Sequence, residues 1–220
     1  MMLRLRVSFP DRPGALGQVA RVLGTLGADI LQVTVLEREA GRVVDDFTVS
    51  WPGTFDPEGI RDRLSAVPGI RVEAVWRTRE IPGTSPDYDL LRHVATEPGR
   101  AFATLVDALP DLVSAEWAAA VSSESGDLVH RSWQAPESLD ERGGLPGVKA
   151  ADLTALRPCA LTAGRHRFMS VPVPDAGLHL VLARTEGPSF HRAELDRAVR
   201  VVEIVSIIGH RPAPRTPQGV

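Results

Sequence analysis

Between two apolar runs the chain reads Asp11, Arg12, Pro13, Gly14, Ala15, Leu16: an acid, a base, a rigid ring and a bare backbone ahead of helical spacing. Asp11 or Arg12 suits the cap of that helix, and Pro13 suits its first turn, where a missing N–H is no loss. A helix start leaves its first backbone N–H groups unpaired and carries partial positive charge. A ligand carboxylate would satisfy both. Gly14, having no Cβ, lets such a ligand come close to the backbone. A ligand that also carried an ammonium would need oxygen acceptors, and Asp11, Asp29 and nearby carbonyls are the candidates. The same stretch also reads as a plain helix cap, with Leu16 and Ile30 as core residues.

Other chemistry finds little support. The six histidines (His93, His130, His166, His179, His191, His210) are scattered, and no His or Cys pair has metal-ligand spacing. Neither a metal nor a cofactor is expected. Cys159, close to Arg165, His166 and Arg167, could be an electropositive thiol, but the sequence shows no base to activate it. A buried, inert thiol is the simpler reading. Asp45 and Asp46 are neighbours in a strand, so they face opposite ways and cannot act together. No phosphate-binding loop, dinucleotide fingerprint or nucleophile elbow occurs.

The elements around the candidate loop follow from periodicity. Leu3, Leu5, Val7 and Phe9 alternate with polar residues, as a half-buried strand requires. Leu16, Val19, Ala20, Leu23 and Leu26 recur at helical spacing, with Gln18, Arg21 and Thr25 outward. Gly27 ends that helix. Strands are predicted at 30–37 and 42–51 with a turn between them. A helix follows at 56–67 and a strand at 70–78. The order is βαββαβ, a ferredoxin-like α+β arrangement.

Strand, D-R-P-G-x-L, amphipathic helix, then G-A-D-I entering a strand resembles the opening of an ACT domain, and the likeness runs to about Arg79. ACT domains are regulatory modules that commonly bind amino acids. The resemblance implies a ligand site made of Asp11, Arg12, Pro13, Gly14, Ala15 and Leu16 with Asp29 and Ile30. There the loop of one chain meets the start of the second strand of a partner. Family members often carry Asn where Asp29 stands.

Residues 81–86 are rich in turn formers and mark a linker after a first domain at 1–80. Beyond it, helices are predicted at 87–96 and 100–109, the second ended by Pro110. Strands follow at 115–122 and 128–133. Residues 134–165 lack periodicity apart from a short helix near 151–156. Two more strands fall at 168–173 and 178–184. A last helix runs from about residue 189 to 208, and a Pro-rich, disordered tail is expected at 209–220. The run from Ser170 through G-P-x-F to the final helix resembles a GAF domain, an antiparallel sheet flanked by helices, over 87–208. Trp117, Trp133, Phe168 and Met169 could line a pocket there or simply form its core. The final helix is apolar around too much of its circumference: Val201 and Ile204 lie outside the stripe of Ala198, Val202 and Val205. That surplus predicts a homodimer seam.

Composition sets the outer bounds. The 220 residues are 43% hydrophobic and 24% charged, with a formal net charge of -3. Neither a nucleic-acid footprint nor a membrane span is apparent. One Cys permits no intrachain disulfide, which fits a cytoplasmic protein. The expectation is a non-catalytic cytoplasmic sensor. Its effector is a free amino acid, its form a homodimer, and its downstream protein unknown. The rivals are an enzyme of amino-acid metabolism under ACT control and a pure interaction scaffold.

Overall fold

The computed structural model describes residues 1–78, 83, 85–140, 143, 145 and 150–209. Residues 81, 82 and 84 of the expected linker and residues 210–220 of the expected tail lie outside the described residues. Contacts divide the chain into two compact units. The first is Met1–Thr84 with Ala160–Phe168 and Arg184–Leu195. The second is Ser85–Cys159 with Met169–Ala183 and Asp196–Val220.

The first unit opens with β1 (Met2–Pro10), α1 (Ala15–Thr25), β2 (Asp29–Glu39), β3 (Arg42–Ser50), α2 (Pro57–Ser65) and β4 (Arg71–Arg77). Its antiparallel sheet has the order β2-β3-β1-β4. Leu3, Leu5, Val7 and Phe9 of β1 pack in one core with Val19 and Leu23 of α1 and with Ile60 and Leu64 of α2. Each fully buried aliphatic side chain contributes about 1.5–3 kcal/mol, so this alternating stripe is what commits the strand to its register. α2 is capped by Asp56, whose carboxylate accepts from the Gly59 N–H at 3.0 Å.

β1 is buried on its other face too. Arg6 donates to both carboxylate oxygens of Asp46, from Nε at 2.8 Å and from Nη2 at 2.9 Å. It also reaches Glu194 at 3.0 Å and the Ser189 carbonyl at 3.2 Å. Arg4 adds a bond to Asp46 at 3.1 Å. Glu194 in turn accepts from Arg184 at 3.0 and 3.1 Å and from the His191 N–H at 2.6 Å. Burial pushes the Glu194 carboxyl up, but Arg184 and Arg6 more than offset it, leaving its pKa below the usual range. Buried charges persist only when paired in this way.

The remaining elements are α3 (Pro86–Thr96), α4 (Ala101–Val113), β5 (Trp117–Ser122), β6 (Leu128–Arg131), α5 (Ala150–Leu153), β7 (Cys159–Ala163), β8 (His166–Val173), β9 (Leu178–Arg184) and α6 (Arg192–Gly209). The second sheet has the order β6-β5-β9-β8-β7. Four findings correct the sequence reading. α4 does not stop at Pro110 but continues to Val113, because burial of Leu112 and Val113 outweighs one lost backbone bond. β7 lies in the stretch read as aperiodic. Trp133 is 92% exposed and lines no core, whereas Trp117, Phe168 and Met169 are buried. In α6, Val201 is buried within the chain, and only Ile204 and Ile207 of the proposed outer surface are exposed.

Candidate functional site

The loop from β1 to α1 is built differently from the sequence expectation. Gly14 is the N-cap of α1, at φ 86° and ψ -11°, and no side chain caps the helix. A positive φ is what only glycine adopts without strain. Asp11 is not a cap. Its backbone N–H donates to the Gly41 carbonyl at 2.8 Å, and its carboxylate accepts from Arg38 Nη2 at 2.8 Å. That ion pair makes Asp11 a poor acceptor for a ligand ammonium. Pro13 precedes the helix rather than opening it, since the first helical residue is Ala15.

Within the first turn, the Ala15 N–H is satisfied by the Arg12 carbonyl and the Gln18 N–H by Gly14. The N–H groups of Leu16 and Gly17 find no partner among the described residues, as expected of a helix start. A Cβ built on Gly14 would meet nothing within 4 Å, so the backbone there is open to approach.

Beside this turn lies an open cavity of about 530 Å³. Phe9, Leu16, Val35 and Val43 give it an apolar wall, and Asp11, Arg12, Arg38 and Asp45 give it charge. Leu16 is 45% exposed and Val35 56% exposed, so the wall is left uncovered in the chain. Asp45 sits on the core-facing side of β3, opposite Val7 of β1 and Val35 of β2. It is buried, and its Oδ1 has no hydrogen-bond partner among the described residues. Burial, reinforced by the charge of Asp46 and opposed by Arg38, pushes its carboxyl up to about 6.

Of the candidate residues, Asp11, Arg12, Pro13, Gly14 and Leu16 line the cavity, and Ala15 is buried in the core of the first unit. Asp29 and Ile30 do not join them within one chain. They start β2, paired with Ser50 and Val49, while the cavity meets the far end of that strand at Val35 and Arg38. Five residue steps separate Ile30 from Val35, roughly 17 Å along an extended strand.

The residue that sequence reasoning missed is Asp45. Its signal was present: Val43, Phe47 and Val49 share its side of β3, and an acid interrupts that apolar stripe. The pairing of Asp45 with Asp46 drew attention to joint action, which the strand forbids. It concealed two separate roles, Asp46 neutralising Arg6 and Asp45 facing the cavity.

Elsewhere, burial raises the Cys159 thiol pKa, the opposite of an activated thiolate. Ser123 Oγ and His179 Nδ1 are hydrogen-bonded at 2.9 Å on the surface, with no carboxylate on the other ring nitrogen among the described residues. No group of three or more His, Cys, Asp or Glu among the described residues could hold a metal ion. No helix among them is long and apolar enough to cross a membrane.

No family model matches the sequence, and no curated protein matches it. Among solved structures, a formyltetrahydrofolate deformylase from Pseudomonas putida KT2440 aligns at 18% identity and a TM-score of 0.30, covering 44% of this chain and 38% of that one. The chain thus spans well under half the length of that protein. A protein of unknown function from Galdieria sulphuraria aligns at 13% identity and a TM-score of 0.32, covering 94% of this chain and 91% of its own.

Proposed function

We propose that this protein is a non-catalytic regulatory protein that binds a free amino acid through an ACT-like first domain and carries a GAF-like second domain. The carrying observation is the cavity at the start of α1. Two unpaired backbone N–H groups and the Arg12 side chain offer a carboxylate site, next to an apolar wall left open in the chain. The βαββαβ order and the β2-β3-β1-β4 sheet support the ACT-like reading. The five-stranded second sheet, with helices before and after it in sequence, supports the GAF-like one. If Asp29 and Ile30 take part, they reach the ligand from a second copy, which is why the reading includes a homodimer. The signal would then pass to a downstream protein by a shift between two dimer geometries. A cytoplasmic setting fits the single free cysteine.

The test is a thermal-shift screen of the purified protein against the common amino acids at millimolar levels. A ligand at a hundredfold excess over its Kd adds about 2.7 kcal/mol. At least one amino acid is expected to raise Tm. No shift with any of them refutes the sensor reading and favours a scaffold.

A further inference from the structure

Asp45 is the one charged group of the cavity that is fully enclosed. Its neighbours do not explain it. Asp46 turns to the other face of the sheet and is consumed by Arg4 and Arg6. Arg38, the nearest cation on β2, is hydrogen-bonded to Asp11 at 2.8 Å. Val7 on β1 and Leu16 on α1 bring no charge. A buried carboxylate oxygen without a donor is costly, and native proteins hold few of them without a functional reason. The missing partner is therefore a cation with N–H donors that enters from the cavity. With Asp11 and Arg38 paired to each other, the cavity's remaining polar groups are donors: the Leu16 N–H and Arg12, which has no ion-pair partner among the described residues. The same cavity is lined by the apolar side chains of Phe9, Leu16, Val35 and Val43.

We infer that Asp45 is the ammonium-binding group of the site, and that the ligand is a zwitterionic amino acid with an aliphatic side chain. This rests on the amino-acid reading above and adds to it the group that separates amino acids from simple carboxylates. The ammonium donates to Asp45 while the carboxylate accepts from the first turn of α1 and from Arg12. The apolar side chain lies along the wall. Binding requires Asp45 to be ionised. The charges that act on it are Asp46 of its own strand and Arg38 of β2, while Asp11 and Arg12 of the β1–α1 loop line the same cavity. Of these, Arg38 and Asp11 neutralise each other, so ligand affinity follows the ionisation of Asp45 itself.

The experiment uses the full chain and three probes: L-leucine, isocaproate (the same skeleton without the amine) and isoamylamine (without the carboxylate). Affinities are read by calorimetry on the parent and on Asp45→Asn. The parent is expected to bind leucine at least about tenfold more tightly than isocaproate, the worth of one charge-assisted bond. Asp45→Asn should erase that preference while retaining isocaproate binding. As a check independent of any variant, the parent's leucine affinity should fall as pH drops below about 6 and level off above about 7. Equal binding of leucine and isocaproate by the parent overturns the role of Asp45 and leaves a carboxylate site standing. So does a flat profile between about pH 5 and 8. Should none of the probes bind, and no amino acid raise Tm, the amino-acid reading itself falls and the assignment of Asp45 with it.

Discussion

Replacing Asp45 by Asn should make the ligand-free protein more stable at neutral pH, an unusual result for removing a buried charge. In the folded chain the carboxyl is held near pKa 6 against an ordinary value of 3.8, because burial and Asp46 disfavour the anion more than Arg38 favours it. Between those two values the folded state binds the proton and the unfolded state does not. Stability therefore falls as pH rises through that window, and the loss is complete above about pH 6. At about 1.4 kcal/mol per pH unit the full interval is worth about 3 kcal/mol. The carboxylate borders an open cavity and water relaxes part of that penalty, so a gain of about 1–3 kcal/mol is expected for Asp45→Asn. Urea unfolding of parent and variant at about pH 8 and again at about pH 4 measures it. The gain should be present at the higher pH and mostly lost at the lower, where Asp45 is protonated in the folded parent and about half protonated in the unfolded chain. A variant less stable than the parent at pH 8, or a gain of the same size at both values, would refute the reasoning. It would mean that the carboxylate is satisfied in the folded chain.

The remaining predictions concern what holds the site. Glu194→Gln removes a carboxylate shared by Arg6 and Arg184 and should cost roughly 3 kcal/mol at neutral pH. Because the folded pKa of Glu194 is depressed, its contribution is present above the ordinary carboxylate pKa and disappears as pH falls through the folded value. The gap between parent and variant in urea melts should therefore close in acid, and a gap that persists there counts against an electrostatic cause. Gly14→Val should lose about 1–2 kcal/mol through its left-handed backbone, although a Cβ would meet no neighbour, and Gly14→Asn should lose less. Equal unfolding midpoints for all three would contradict that. Val201→Asp should unfold the chain, whereas Ile207→Asp should change stability by no more than about 0.5 kcal/mol, since only the second side chain is exposed. A soluble, folded Val201→Asp would restore it to a surface seam.

The first unit was legible because its signals are local and mutually consistent. β3 was expected at 42–51 and spans Arg42–Ser50, and β4 was expected at 70–78 and spans Arg71–Arg77. In both, an alternating apolar stripe agrees with the turn residues around it. What misled is equally physical. Pro110 carries a strong stop signal, yet the burial of Leu112 and Val113 is a tertiary term that no local rule contains. β7 is five residues long and only half-buried, so its alternation is faint, although the two-residue turn at Gly164 and Arg165 announces a hairpin. In the β1–α1 loop, Gly14 holds the N-cap place expected of Asp11 or Arg12. Asp11 reads locally as a cap because its partner Arg38 is 27 residues away in sequence. Asp45 could have been found as the one acid in a stripe of valines and phenylalanine. Its neighbour Asp46 obscured it until the opposite strand showed Arg6 beside one carboxylate and Val7 beside the other.

Amide chemical-shift mapping locates the amino-acid site. The protein, labelled with nitrogen-15, is titrated with L-leucine and the backbone amides are followed. The largest shifts are expected on Gly14 and Leu16 at the α1 start and on Val43 and Asp45 of β3, which line the cavity from two elements. Saturable binding whose shifts leave those amides unmoved and cluster elsewhere, or no saturable shifts with any amino acid, would contradict that location.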